Sequence, residues 1–165
     1  MADGLTHVLL GWVAVELISI KYPWAMKYRA LVLVGAILPD IGNFAVLMGE
    51  TGANELYYLF MPLHSIVGSL LLVGILTMIF KEEYRKRVFL LLTAGVATHL
   101  AADYFIIFLD GKVPLFFPFT FQKVGYDLFL QAGRGFLVVA AATAVIVTVL
   151  RRRYIKRKMR NLLEE

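Results

Sequence analysis

The chain has 165 residues, 60% of them hydrophobic, with no cysteine and a formal net charge of +5. Soluble domains are about 45–50% apolar, so an ordinary water-soluble globule is excluded, and the lack of cysteine excludes disulfides and thiolate metal sites. The positive charge does not point to nucleic acid as a partner, because the basic residues gather in the gaps between apolar stretches, where membrane topology accounts for them.

Five apolar segments follow in chain order: Leu5–Ile20, Ala30–Met48, Leu56–Phe80, Val88–Leu109 and Tyr126–Leu150. At about 1.5 Å per residue against about 30 Å of hydrocarbon, the last three are comfortable spans and the second is adequate. The first is short and needs tilt or local thinning of the bilayer. It starts with Asp3 rather than a basic region and shows no small-residue cleavage site, so it reads as a retained helix. Before the last segment, the apolar run from Val113 to Phe121 holds two prolines and four phenylalanines, which suits an interfacial or re-entrant loop better than a spanning helix. The expected fold is an all-α polytopic membrane helix bundle of about five transmembrane helices with that aromatic loop before the last. Residues 1–150 form a single transmembrane domain and residues 151–165 a basic tail.

Loop charges orient the bundle. The gap Lys21–Arg29, the gap Lys81–Arg87 and the tail from Arg151 hold most of the 17 lysines and arginines, and five spans put all three on one side. By the positive-inside rule that side is cytoplasmic, which makes this a multi-pass cell-membrane protein with a cytoplasmic C-terminus. The tail reads as a topogenic anchor at lipid headgroups.

Against this frame the polar residues inside apolar sequence become informative, because each is costly in hydrocarbon without a partner. Counted from the outer ends of their helices, His7 lies roughly 3 Å in, Asp103 roughly 9 Å, His64 and Asp40 roughly 12 Å and His99 roughly 15 Å. All five share the outer half, which favours one common site. His99 and Asp103 are also spaced i, i+4, so one helix face offers two ligands to one ion. Gly11, Gly68 and Gly95 each stand four residues from a histidine, marking faces where a neighbouring helix can approach closely; ordinary small-residue packing is the alternative for any one of them. In the second segment Pro39 removes a helix hydrogen bond and frees the carbonyl near residue 35, giving a kink where Asp40 and Asn43 turn inward. A kink capped by its own aspartate is the alternative. Arg134 lies at a similar depth and needs an anion: Asp40, Asp103, Glu16 or an anionic substrate.

Thr6-His7, Leu38-Pro39-Asp40, His64-Ser65, Thr98-His99 through Asp103, and Leu115-Phe-Phe-Pro118-Phe119 occur in this order over nearly the whole chain. In these motifs the chain resembles the YdjM-like family of membrane-bound proteins read as metal-dependent hydrolases. It departs from the family pattern at Gly42, where a second acidic residue is expected after Pro-Asp, at Leu59-Phe60, which replaces a His-Arg, and at Leu63, which replaces a threonine. The resemblance with these departures implies ligands for one metal ion where relatives hold two.

The leading functional expectation is an intramembrane metal-dependent hydrolase acting on a lipid or lipid-linked ester or phosphoester near the outer leaflet. His64, His99 and Asp103 are the expected core metal ligands, with Asp40 as a further ligand or general base and His7 closing the site. Arg134 is expected to steady anionic charge on the substrate, with Asn43 and Ser65 as further substrate contacts. Imidazole and carboxylate donors suit Zn²⁺, with Mn²⁺ or Fe²⁺ as alternatives. A small metal- or proton-handling transporter would use the same residues but needs polar groups through the inner half, where only Glu16 and Thr77 qualify. A non-catalytic scaffold fastened by a metal is the third reading.

Overall fold

The computed structural model of the chain describes residues 4–42, 60–105, 113–126 and 133–164. Its five described α-helices are α1 (Gly4–Lys21), α2 (Arg29–Ile37), α3 (Ile66–Met78), α4 (Glu82–Phe105) and α5 (Gly133–Glu164). Short 3-10 turns occupy Pro23–Tyr28, Leu38–Asp40 and Met61–His64. Helices α1, α4 and α5 are long and apolar enough to cross a membrane. The first segment, short by sequence, is an unbroken helix of 18 residues.

Local chemistry sets the helix ends. Lys21 sits in the last turn of α1, where a cation complements the helix dipole, and Pro23 starts the next turn, where its missing N–H costs nothing. Helix α2 stops at Ile37 because Pro39 cannot donate to the carbonyl one turn back, and the chain tightens into the 3-10 turn Leu38–Asp40. Ser65 adopts an extended conformation and caps α3, its Oγ accepting from the Gly68 N–H at 3.0 Å.

These ends change three of the expected spans. The second is not a continuous helix from Ala30 to Met48: α2 yields to a 3-10 turn, and residues 43–48 lie outside the described ones. In the third, His64 belongs to a 3-10 turn ahead of the capping Ser65 rather than to a helix, because Pro62 and the cap interrupt the apolar run. The last helix is described from Gly133, residues 127–132 lying outside the described ones, and it continues through the basic tail to Glu164. Its 32 residues reach about 48 Å, well beyond the roughly 30 Å of hydrocarbon.

Helix α2 lies between α1 and α4, packed against both. The close approach depends on two glycines. A Cβ on Gly35 would run into the Leu92 carbonyl of α4, and one on Gly95 into the Val32 carbonyl of α2. Gly11 similarly faces α2, where a Cβ would lie 2.9 Å from that of Ala36. Two of the three glycines spaced from histidines therefore mark helix–helix contacts. Gly68 does not: the atom its Cβ would strike is the carbonyl of Pro62, so it serves the tight cap of α3 instead.

Helix α5 packs on α1, with Ala140 and Ala144 buried on one face and Val138, Val139, Val145 and Ile146 exposed on others. An apolar exterior of this kind is what a lipid solvent requires. Trp12 meets Thr148 and Glu16 meets Arg151, so α1 and α5 run parallel. Ala36 meets His99 while Val32 meets Gly95, so α2 and α4 run parallel too. The alternation expected of five successive crossings follows, with the Lys21–Arg29 and Lys81–Arg87 stretches at the end to which the C-terminal half of α5 points.

Candidate metal centre

All five histidines and aspartates singled out by depth come together at the opposite end of the bundle. His7 is in the second turn of α1, Asp40 closes the 3-10 turn after α2, His64 ends the turn before α3, and His99 and Asp103 share a face of α4. His7, His99 and Asp103 have no exposure at all, while His64 and Asp40 keep 5% and 6%.

The three imidazoles present Nε2 to the two carboxylates. His64 Nε2 lies 3.2 Å from Asp40 Oδ1 and 4.0 Å from Asp103 Oδ2, and His99 Nε2 lies 3.2 Å from Asp103 Oδ2 and 3.9 Å from Asp40 Oδ1. His7 Nε2 is 3.4 Å from Asp103 Oδ1 and 3.9 Å from Asp40 Oδ2. His7, expected to close the site from above, stacks on His99, with ring centroids 3.8 Å apart. Donor atoms bound 2.0–2.2 Å from one ion at angles between 90° and tetrahedral lie about 2.8–3.6 Å from each other. The three shorter separations, 3.2, 3.2 and 3.4 Å, fall inside that range and the other three, 3.9, 3.9 and 4.0 Å, lie above it. Two overlapping triads, His7–His99–Asp103 and Asp40–His64–His99, could hold a metal ion.

Backbone chemistry decides which nitrogen of His99 faces inward. Its Nδ1–H donates to the Ala36 carbonyl at 2.8 Å, and a carbonyl can only accept, so the tautomer is fixed with the Nε2 lone pair toward the cluster. That carbonyl is open to a side chain because Pro39 converts the end of α2 from α to 3-10 geometry. The kink expected from Pro39 is thus real, and it serves His99 as well as Asp40. The Nε2 atoms of His7 and His99 are buried and make no hydrogen bond. Two carboxylates face three imidazole Nε2 atoms, with no lysine or arginine among the described residues of the cluster, and a divalent cation of nitrogen and oxygen preference fits this donor set.

The other expected site residues divide. Ser65 is buried, but its hydroxyl donates to the Pro62 carbonyl at 2.7 Å and accepts from Gly68, so both roles are taken by the helix cap rather than offered to a substrate. Asn43 and the side chain of Arg134 lie outside the described residues. Glu16, one candidate partner for Arg134, faces Arg151 instead, with its Oε2 3.4 Å from Nε, and its Oε1 accepts from Thr148 Oγ1 at 3.2 Å. Thr77 donates to its own helix at the Val73 carbonyl. Both residues named for a transporter path are thereby engaged in contacts of their own. Sequence reasoning missed the Glu16–Arg151 pair because Arg151 read as the first residue of a topogenic anchor at lipid headgroups. A carboxylate one helix turn from the basic end of α1 was the available signal.

The fold and this cluster define a polytopic membrane helix bundle with a buried histidine–aspartate centre of metal-ligand geometry. The model of the YdjM inner membrane protein family matches residues 1–163, and the chain belongs to that family. Neither the comparison with curated proteins nor that with solved structures gives a match.

Proposed function

We propose that the protein is a metal-dependent hydrolase acting on a lipid or lipid-linked ester or phosphoester near the outer leaflet. The observation that carries this reading is the convergence of three Nε2 atoms and two carboxylates within 4.0 Å of one another's partners, with His7 and His99 lacking any hydrogen bond at Nε2. A divalent ion held there supplies Lewis acidity toward an ester or phosphoester and makes a nearby water more acidic. His99, common to both triads, is the central ligand, with His7, His64 and Asp103 completing the set. Zinc is the favoured ion, and manganese and iron are the alternatives.

Asp40 and His64 are the only members with residual exposure, so substrate and water reach the centre from their side. Asp40 is accordingly the residue placed to take a proton from water as general base. Ser65 holds the turn that carries His64. Arg134 begins α5 and, in this reading, steadies anionic charge on the substrate.

Metal analysis of the purified protein tests the centre. About one divalent ion per chain is expected in the wild type and almost none in His99→Ala. Equal metal in both proteins would sink the reading. Orientation rests on the positive-inside rule and is tested in this cysteine-free chain with Gln122→Cys and Lys158→Cys: an impermeant thiol reagent should label only the first in intact cells. Labelling of the second alone moves the centre to the cytoplasmic leaflet.

A further inference from the structure

Beside the centre, α3, α4 and the aromatic loop enclose an apolar groove of about 520 Å³. Its walls are Ile66 and Leu70 of α3 and Val96 and Leu100 of α4, and Leu115 and Phe116 roof it. The roof is fastened at three points. Leu115 O accepts from the Ile66 N–H at 3.0 Å, the Tyr126 N–H donates to Tyr104 O at 2.7 Å, and Val113 and Val124 exchange backbone hydrogen bonds of 3.1 and 2.9 Å that close the loop. Along α4 the groove runs from Thr93 to Tyr104, roughly 16 Å at the helical rise and along the helix axis. Among the described residues, polar side-chain atoms enter its lining only from Thr93 and Tyr104, at its two ends.

Three features identify what such a groove takes. It is long and narrow, apolar over its length, and built between membrane-embedded helices, where the surrounding solvent is hydrocarbon and water gains nothing by entering. Phe116, Phe119 and Phe121 continue its apolar surface outward, exposed by 50%, 86% and 74%. The Tyr104 end of the groove lies at the same end of α4 as His99 and Asp103, on a neighbouring face of the helix.

We propose that this groove is a hydrocarbon-chain subsite that seats one linear acyl or isoprenoid chain of a membrane lipid, placing the lipid's polar head at the histidine–aspartate centre. The assignment of the head to that centre rests on the hydrolytic reading, whereas seating of the chain does not. Ala97 and Ala101 line the groove and carry the smallest side chains that a helix face can offer, so they set its width.

The test uses the full chain in vesicles of phosphatidylethanolamine and phosphatidylglycerol containing a trace of phosphatidylglycerol with a diazirine in one acyl chain. Photolabelling should concentrate on residues 66–70, 96–104 and 113–124, at least about fivefold above the lipid-exposed face of α5, and Ala97→Phe and Ala101→Phe should each lower it by about fivefold. Val138→Phe on α5 is the control and should change nothing. Labelling spread evenly over α4 and α5 overturns the proposal, as does unchanged labelling in both alanine variants or a cross-link between two copies through the groove. His99→Ala separates the two readings, because it should remove the metal and leave groove labelling intact. Groove labelling without any ester or phosphoester turnover by the wild type ends the hydrolytic reading and keeps the subsite; turnover with even labelling does the reverse.

Discussion

Two buried polar clusters stand at opposite ends of the bundle, with α1 contributing to both, and they solve the problem of charge in hydrocarbon differently. Between α1 and α5, Glu16 meets Arg151 at 3.4 Å, and Thr148 links Glu16 to the Trp12 indole, which donates to Thr148 Oγ1 at 2.9 Å. That cluster contains its own cation. At the other end, two aspartates face three imidazoles, one of which has its tautomer fixed so that a lone pair points inward. The first pairs a carboxylate with a guanidinium; the second has the composition of a ligand set. Burial alone does not separate them, since Glu16 is as enclosed as the metal-site residues. The sign balance of the donors does.

The sharpest break in this comparison is Asp103→Ala. Removing a carboxylate shared by His7, His64 and His99 should weaken metal binding by more than about 100-fold, beyond the effect of losing an outer partner, as measured by chelator competition. The same measurement on Glu16→Gln should show no change. Conversely, Glu16→Gln leaves the mostly buried Arg151 guanidinium without its anion and should cost about 2–4 kcal/mol of stability in detergent. Adding Arg151→Met to Glu16→Gln should recover most of that loss. Failure to recover would show that the pair is not an isolated unit.

Smaller effects sharpen the contrast. In Pro39→Ala the end of α2 can return to α-helical geometry, where the amide of residue 40 competes with His99 Nδ1 for the Ala36 carbonyl. With its ring no longer oriented, His99 should bind metal about 10-fold more weakly, within the range for outer-shell partners, while the helical circular dichroism is kept. Undiminished affinity would remove the proposed role of that carbonyl. The smallest effect is expected from Trp12→Phe, which deletes one hydrogen bond at the charge-paired cluster and should lower stability by about 0.5–1.5 kcal/mol with no change in bound metal.

The amino-acid sequence by itself determined that this is a helical membrane protein, because an apolar content of 60% and the lengths of its apolar runs leave few other solutions. It also singled out the five residues of the centre, since charged and imidazole side chains stand out against apolar sequence and their depths can be counted along a helix. Helical spacing found the His99–Asp103 pair, and Pro39 marked a break that the structure contains. The tertiary structure decided how the ends of α2 and α3 are built, because a proline and a serine cap act through local hydrogen bonds that an apolar count does not register. It assigned Glu16 to Arg151 and stacked His7 on His99, since which faces meet depends on glycine contacts between helices rather than on position along any one of them. It also supplied the Ala36 carbonyl that orients His99. A backbone acceptor has no letter in the sequence, and only the packing of α2 against α4 brings it within reach.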